Sequence, residues 1–314
     1  MRVEEVSFLS EGVIVRGDLY LPDGAVGPVA AVAMAGGWCY VKELRQPDYA
    51  KVFVEAGMAA LIFDYRNLGA SDGDIRQHLD PWAQIEDYKS ALSFLESRAD
   101  IDSDRLGVWG ISYSGGHALL LAAIDDRVKC AVGNVPVIDG YNTMWRVHGS
   151  EGFRRLRSLV AEDRTKRFAT GNHGYMPMSC DPKDGLAAWP FDEVRTVFEE
   201  LQKTQAPRHE HRNTIASVEL LMQYNALPYA SRITTTPFMM IIAQGDDITM
   251  EDMEVEAFHQ IRTPIKRLVV LPETSHMTLY SNLSRLEIAS RAAASWYTEH
   301  LVNIATPERL LGQV

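Results

Sequence analysis

The heptapeptide Gly110-Ile111-Ser112-Tyr113-Ser114-Gly115-Gly116 lies between two apolar runs of different character. Residues 105–109 form a short run that predicts a buried strand, whereas residues 117–124 are rich in Ala and Leu and predict a helix. A serine between small residues at a strand-to-helix turn is typical of a nucleophile elbow. The first turn of the helix would direct free N–H groups at the Ser112 oxygen and favour negative charge there. A tight structural turn would use the same glycines.

Apolar runs on both sides of this turn predict the other strands of an α/β sheet. Buried strands are predicted at 29–35, 58–65, 128–135, 237–243 and 266–271, and helices at 48–56, 81–95, 254–261 and 283–301. Residues 3–20 alternate in polarity and predict two antiparallel strands joined by a turn. Buried strands connected by helices predict a mostly parallel central sheet that is flanked by helices on both faces.

The alternation of strands and helices stops after residue 139. Residues 140–231 contain amphipathic, charged segments joined by loops rich in Gly, Pro and His, and no apolar strand. We therefore predict a core of residues 1–139 and 232–314 with a largely helical cap of residues 140–231. Aromatic and Met side chains of this cap either pack it onto the core or line an apolar substrate pocket, and the candidates for substrate binding are Trp145, Tyr175, Met176 and Trp189.

Three polar residues each follow a different apolar strand, in the chain order Ser112, Asp246, His276. α/β-Hydrolases place their serine, acid and histidine in this order. A serine hydroxyl is a poor nucleophile near neutral pH, so His276 would take its proton as the serine attacks. Asp246 would orient the imidazole and stabilise the imidazolium. Asp247 is an alternative acid at the same place.

A tetrahedral intermediate on the serine needs preorganised N–H donors for its oxyanion. The N–H of Tyr113, directly after the serine, is one candidate. The second is the N–H of Gly37 or Trp38, because a Gly-Gly pair follows the strand predicted at 29–35, where α/β folds build ligand sites. A tight turn between strand and helix would also explain this glycine pair.

The composition of the 314-residue chain restricts its class and its partners. Hydrophobic residues are 46% and charged residues 23% of the chain, as in ordinary globular domains. The net charge of −11 disfavours nucleic acid and anionic membranes as partners and favours solubility. Three distant cysteines indicate neither a disulfide framework nor a zinc site. Because no secretory or membrane-spanning pattern occurs, the sequence predicts a cytoplasmic protein.

Two other polar groups have simpler interpretations than catalysis. Asp64 and Arg66 follow a buried strand, and we expect them to hold a loop through charge-assisted hydrogen bonds. His209 and His211 are flanked by arginines, which oppose a cation, so a solvated or salt-bridged surface is expected there rather than a metal site. The sequence indicates no metal and no cofactor, and it leaves a homodimer open.

Four segments, residues 41–43, 63–73, 109–117 and 246–249, together with His276 and Tyr280, carry a resemblance. The chain resembles α/β-hydrolases of the group that includes dienelactone-hydrolase-like proteins, X-Pro dipeptidyl-peptidase and cocaine-esterase-like catalytic domains, and polyketide-associated hydrolases. The cap matches least. The resemblance implies an α/β-hydrolase fold in which Ser112, Asp246 and His276 form the catalytic triad.

The group's pattern also bears on the choice of acid and shows two departures. It favours Asp246 over Asp247, because the group places a Thr three residues after the acid, where Thr249 stands. Ser114 occupies the fifth position of the motif G-x-S-x-G, and Met250 stands where Pro is common. Neither departure removes a chemical group that the reaction uses.

The activities of this group span several reactions on the same catalytic groups. They imply a serine hydrolase that cleaves an ester, thioester or lactone of a fairly apolar small molecule. The alternative is an acyltransferase or a carbon–carbon bond hydrolase that acts on a polyketide-type substrate. A non-catalytic ligand-binding protein is a third interpretation, but it would have no use for all three polar groups.

Overall fold

The structure, a computed structural model of the chain, describes residues 1–303. Eight strands within this range form the main sheet and two short strands form a separate pair. The strands are β1 (Arg2–Ser10), β2 (Val13–Leu21), β3 (Val29–Ala35), β4 (Ala59–Phe63), β5 (Ile101–Ile111), β6 (Val128–Asn134), β7 (Tyr175–Pro177), β8 (Arg212–Thr214), β9 (Phe238–Ala243) and β10 (Lys266–Leu271).

Helices connect most of these strands. They are α1 (Gln46–Glu55), α2 (Pro81–Glu96), α3 (Tyr113–Ile124), α4 (Gly140–Thr170), α5 (Asp192–Thr204), α6 (Ile215–Gln223), α7 (Leu227–Ala230), α8 (Glu251–Gln260), α9 (Thr278–Ser281) and α10 (Leu283–Tyr297), followed by a π-helical turn, Thr298–Val302. Helix α1 packs against α10, and α2 packs against α3. None of the helices described up to residue 303 is both long and apolar enough to cross a bilayer.

The main sheet has the strand order β1-β2-β4-β3-β5-β6-β9-β10. Its first two pairings are antiparallel, and the strands from β4 to β10 run parallel. Strands β4 and β9 are buried along their whole length, as continuous apolar runs in a sheet covered on both faces should be. The mostly parallel α/β-hydrolase sheet predicted from the sequence is confirmed. Its parallel strands end at one edge, where β3, β5, β9 and β10 each lead into a candidate functional loop.

The segment between β6 and β9 differs in part from the sequence expectation. It is largely helical, but it also contains β7 and β8, which pair antiparallel. These strands are only three residues long, and β8 is polar, so they leave no apolar run of strand length in the sequence. One of the amphipathic segments of residues 140–231 is part of the long helix α4, which is kinked at Gly149 with φ 62°. The predicted core boundary at residue 314 lies outside the described residues.

Candidate active site

The turn between β5 and α3 holds Ser112 in a backbone conformation that side chains rarely adopt, with φ 59° and ψ −119°. The surrounding backbone fixes it there. The Ser112 N–H donates to the Asn134 carbonyl at 2.8 Å, and the Val137 N–H donates to the Ser112 carbonyl at 2.9 Å. A Cβ atom on Gly110 would lie 1.9 Å from the Ser114 carbonyl oxygen, so only glycine fits there. Such locally strained conformations cluster at active sites.

Two hydroxyl groups connect this turn to the neighbouring strand β3. Tyr88 accepts from the Ala35 N–H at 2.9 Å and donates to the Trp109 carbonyl at 2.6 Å, which joins the ends of β3 and β5. The Ser114 hydroxyl donates to the Gly36 carbonyl. The departure from glycine at position 114 therefore adds a contact between the elbow and the loop after β3.

The loops after β9 and β10 bring Asp246 and His276 together. The Nδ1 atom of His276 lies 2.8 Å from Oδ2 of Asp246, and both residues are buried. The other carboxylate oxygen of Asp246 accepts from the N–H groups of Ile248 at 2.8 Å and Thr249 at 2.9 Å. Burial alone would raise the pKa of Asp246, but His276 and these hydrogen bonds hold it below its usual value. Asp247 is exposed, and the structure pairs His276 with Asp246.

The candidate oxyanion donors lie next to Ser112. Tyr113 is the first residue of α3, so its N–H has no acceptor within the helix. A Cβ atom on Gly37 would lie 2.8 Å from the Ser112 Cβ and 3.2 Å from its Oγ, which places the Gly37 backbone directly against the nucleophile. The Trp38 indole donates to Oδ1 of Asn213 at 3.1 Å and is thereby held over the same turn.

Ser112 and His276 open onto one predominantly apolar cavity of about 310 Å³, including its mouth. Side chains of the segment between β6 and β9 supply one wall, and the loops of the main sheet supply the other. The lining consists of Trp38, Ser112, Met178, Trp189, Val194, Phe198, Ile248, His276, Met277 and Tyr280. The Tyr280 ring stacks on His276, with ring centroids 5.6 Å apart, and burial raises the Tyr280 pKa.

Of the four substrate-binding candidates, the structure brings only Trp189 to this cavity. Trp145 is 49% exposed on α4. Tyr175 is also exposed, and its hydroxyl donates to the Arg76 carbonyl at 3.0 Å. Met176 is buried in the apolar core instead. The structure therefore does not support a direct substrate contact for Trp145, Tyr175 or Met176.

Several lining residues were not singled out from the sequence. Val194 and Phe198 lie on the buried face of α5, together with Leu201. Their helical spacing in the sequence predicts a buried apolar face, but it does not indicate whether that face contacts a cavity or the core. Ile248 and Met277 lie two and one residues beyond Asp246 and His276, so proximity in the chain to the triad candidates is the signal that could have found them.

The loop-holding role expected for Asp64 and Arg66 is confirmed. Asp64 is buried and accepts from the backbone N–H groups of Lys42 and Ala70, both at 2.7 Å. Burial raises its pKa to about 7, and these two hydrogen bonds oppose the rise. Arg66 donates to Asp87 through both its backbone N–H and its guanidinium, each at 2.9 Å. Asp64 thereby anchors the loop that follows Gly37.

The expectation of a solvated or salt-bridged surface at His209 is wrong. His209 is only 1% exposed, and its Nδ1–H donates to the Cys39 carbonyl at 3.1 Å. Burial lowers its pKa to about 4, so the ring is neutral and holds the loop after β3. His211 turns to Ser179, with its Nε2 atom 2.8 Å from the hydroxyl oxygen. Within residues 1–303, no group of three or more His, Cys, Asp or Glu side chains is arranged as a metal site.

The departure at Met250 also has a structural reason. Met250 precedes α8 with φ 75°. Proline is locked near −65° and could not adopt this conformation, so a proline here would require a different path for the loop after Asp246.

Comparison with known proteins agrees with this architecture. A model of the X-Pro dipeptidyl-peptidase (S15) family matches residues 11–278. The thiohydrolase aneE of Aspergillus aculeatus is 32% identical over 279 residues, covering 87% of this chain and 86% of that protein. The polyketide transferase claH of Penicillium crustosum is 26% identical over 285 residues, covering 89% and 92%.

Solved structures show the same fold. The α/β-hydrolase GrgF from Penicillium sp. sh18 superimposes with a TM-score of 0.81 at 24% identity, covering 96% of this chain and 99% of that one. At this identity the likeness concerns the fold alone. The family match covers most of the chain. The chain is an α/β-hydrolase enzyme and belongs to the X-Pro dipeptidyl-peptidase (S15) family.

Proposed function

We propose that this enzyme cleaves an ester, thioester or lactone bond of a fairly apolar small molecule through an acyl-enzyme on Ser112. The observation that carries the proposal is the 2.8 Å contact between His276 and Asp246, together with the cavity that His276 and Ser112 both line. A serine in the strained conformation of an elbow, sharing a cavity with the histidine of a buried His–Asp pair, is an arrangement suited to acyl transfer.

The reaction follows from these positions. His276 donates its Nδ1–H to Asp246, which leaves Nε2 free to take the proton of the Ser112 hydroxyl as its oxygen attacks the substrate carbonyl carbon. The N–H of Tyr113 and that of Gly37 or Trp38 stabilise the oxyanion. When the intermediate collapses, the bond to the leaving alcohol or thiol breaks and His276 returns the proton to that group. Water then attacks the acyl-enzyme with His276 again as base, and Ser112 is restored.

The lining of the cavity supports an apolar acyl group rather than a peptide. A dipeptidyl-peptidase has to recognise a charged N-terminal amine, and a buried ammonium group needs an anionic partner. Among the described lining residues none is an Asp or Glu. The aromatic and Met side chains instead offer dispersion contacts and exclude water. We therefore expect little or no X-Pro dipeptidyl-peptidase activity in this chain, despite the name of the family.

Acyl transfer to an acceptor other than water is the second candidate. Two observations favour it: the cavity is narrow and apolar, which limits the access of water to an acyl-enzyme, and relatives such as claH are named polyketide transferases. The chemistry up to the acyl-enzyme is the same, and only the second nucleophile differs. Carbon–carbon bond cleavage would use the same groups, but no feature of the described cavity favours it specifically.

The test is a substrate panel with matched variants. Chromogenic esters and thioesters of increasing acyl length, an aryl lactone and an X-Pro anilide are compared with and without added alcohol acceptors. We expect turnover of esters and thioesters and none of the anilide. Acceptor-dependent product in preference to acid would favour the transferase, and turnover of the anilide alone would overturn the proposal.

Asp246→Asn and Asp247→Asn provide a matched pair within this experiment, because they make the same chemical change at adjacent positions. Replacing the acid of a triad by Asn lowers kcat by roughly 10⁴-fold in serine proteases. We expect a loss of that order for Asp246→Asn and activity near that of the wild type for the exposed Asp247. Equal losses for the two variants would argue against Asp246 as the orienting acid.

A further inference from the structure

A second carboxyl group lies one hydroxyl away from the His276–Asp246 pair. Oγ1 of Thr249 is 2.9 Å from Oδ2 of Asp246 and 2.9 Å from Oε1 of Glu254. It is also 3.3 Å from Nδ1 of His276. Thr249 and Glu254 are completely buried, and Glu254 lies in the first turns of α8. The acyl-transfer mechanism above does not use Glu254.

The hydrogen count of this cluster restricts its protonation. The Thr249 hydroxyl carries one hydrogen, so it can donate to only one of the two carboxyl groups. Asp246 is the anion of the cluster, because it already accepts from His276 and from two backbone N–H groups. If Glu254 were also ionised, one contact of Thr249 with a carboxylate oxygen would contain no hydrogen.

The surroundings of Glu254 do not stabilise a negative charge. None of the ion pairs found within residues 1–303 includes Glu254, and its Oε2 atom has no hydrogen-bond partner there. Asp246 and His276 are the titratable groups on the other side of Thr249. On the helix of Glu254 itself they are Glu251 and Asp252, and Arg146 of α4 pairs with Asp252 rather than with Glu254. Burial, and then the charge of Asp246, raise the pKa of Glu254 well above its usual value.

We propose that Glu254 is a protonated positioning residue whose carboxylic O–H donates to Thr249, while the Thr249 O–H donates to Asp246. Each contact from Glu254 through Thr249 to Asp246 then contains one hydrogen, and Oδ2 of Asp246 receives hydrogen bonds from both Thr249 and His276. The inference rests on the proposed triad, since it assigns Glu254 a role only through Asp246. No proton leaves Glu254 during turnover.

A neutral carboxyl group at this place has a clear advantage over an ionised one. A second anion in this buried cluster would lie close to the Asp246 carboxylate with no cation in the described part of the chain to pair with, which costs free energy. A neutral acid still supplies a hydrogen-bond donor that fixes Thr249. The orientation of Asp246 is thus secured without a second negative charge in the cluster.

The protonation state can be measured without any substrate. Infrared difference spectra of the full chain at neutral pH, wild type minus Glu254→Gln, should contain the C=O band of a protonated carboxylic acid. Glu251→Gln on the same helix is the matched control and should not remove that band. Ionised carboxylate bands in its place for Glu254 would overturn the proposal, whether or not the proposed function is correct.

Kinetics tests the positioning role. The Gln side chain of Glu254→Gln is neutral and still donates a hydrogen bond to Thr249, so the acid limb of the kcat/KM–pH profile should not move. A shift of that limb by about one pH unit to lower pH would mean that wild-type Glu254 is an anion, and it would contradict the proposal. Thr249→Val and Glu254→Leu should each lower kcat/KM by roughly five- to twentyfold. Thr249→Ser keeps the hydroxyl and should therefore recover the activity that Thr249→Val loses. A loss caused only by altered packing would not be recovered in this way.

The double variant Thr249→Val/Glu254→Leu decides whether Glu254 acts through Thr249. We expect its kcat/KM to be no lower than that of Thr249→Val alone, because Thr249→Val already removes the hydrogen bonds that connect Glu254 to Asp246. Multiplicative losses would show independent roles and contradict the proposal. If the apolar variants do not fold, the infrared comparison of Glu254→Gln with Glu251→Gln still decides the protonation of Glu254.

Discussion

The hydroxyl of Ser114 donates a hydrogen bond to the carbonyl oxygen of Gly36, across the gap between the nucleophile turn and the loop after β3. The single hydroxyl hydrogen of Ser114 is used in this bond, so the Tyr65 hydroxyl, 2.5 Å away, donates to the Ser114 oxygen. Because the peptide between Gly36 and Gly37 is planar and trans, the direction of the Gly37 N–H is fixed along with the carbonyl. Ser114 thereby orients one candidate oxyanion donor.

Ser114→Ala should lower kcat more than it changes KM. Without the hydroxyl, the Gly36–Gly37 peptide can rotate away from the position that the oxyanion needs, while the cavity that binds the substrate keeps its shape. We expect a loss of roughly tenfold in kcat, which corresponds to about 1.4 kcal/mol of transition-state stabilisation. Steady-state kinetics on an aryl ester measures both constants.

Tyr65→Phe is the control for this change. It removes the other hydrogen bond of Ser114 but leaves the one to Gly36 in place. We expect Tyr65→Phe to lower the free energy of unfolding about as much as Ser114→Ala does, by about 1–3 kcal/mol for a buried hydrogen bond. Its effect on kcat should be much smaller than that of Ser114→Ala. If both variants lose kcat equally, the effect is one of general packing and not of the Gly36 carbonyl.

Trp189→Ala should change the substrate preference, whereas Trp145→Ala should not. Trp189 is buried and lines the cavity, with its ring 6.3 Å from that of Trp38, and Trp145 is half exposed on α4. Loss of the indole enlarges the cavity, so kcat/KM should fall for short acyl groups, by roughly tenfold, and rise relative to wild type for bulkier ones. The acyl-length profile of each variant measures this, and a changed profile for Trp145→Ala would place the substrate elsewhere.

His117 should make the stability of the protein depend on pH. This fully buried residue of α3 donates from Nε2 to Gln84 and accepts at Nδ1 from the Tyr224 hydroxyl, both at 3.1 Å. Burial lowers its pKa to about 3. The folded-state pKa is thus below the unfolded value of about 6.5, so the unfolded chain alone binds a proton as the pH falls below 6.5, and stability is lost.

His117→Gln isolates this effect from that of other groups. The neutral variant lacks the titration, so the advantage in unfolding free energy of the wild type over the variant should shrink by about 2 kcal/mol between pH 7 and pH 5. Urea unfolding at several pH values measures the difference. A constant difference across this range would mean that His117 is protonated equally in both states, contrary to its burial between two neutral partners.

The main features of the fold follow from local sequence patterns, since buried parallel strands appear as continuous apolar runs. The strand Val29–Ala35 and the start of helix α2 at Pro81 were predicted at their observed positions. Strand β5 begins four residues before the predicted strand, because residues 102–104 are polar and partly or fully exposed and so break the apolar run. The last predicted helix ends as an α-helix at Tyr297 and continues as a π-helical turn.

The site was only partly predictable, because cavity walls are formed by distant segments of the chain. Chain order and strand ends were enough to suggest Ser112, Asp246 and His276, which the structure places at one edge of the sheet. Whether an aromatic side chain of the insertion faces the cavity depends on how α4 and β7 pack, and no local pattern contains that information. The buried position of His209 was missed for the same reason, since its neighbours in sequence are charged.

The most direct test of the central claim, that Ser112 is an activated nucleophile, is intact-mass spectrometry after treatment with a fluorophosphonate. Wild type and Ser112→Ala are compared, with circular dichroism to verify that both are folded. We predict a single covalent adduct on the wild type, lost in Ser112→Ala and strongly slowed in Asp246→Asn. An adduct that persists in folded Ser112→Ala, or none on the wild type with even the smallest probe, would contradict the account.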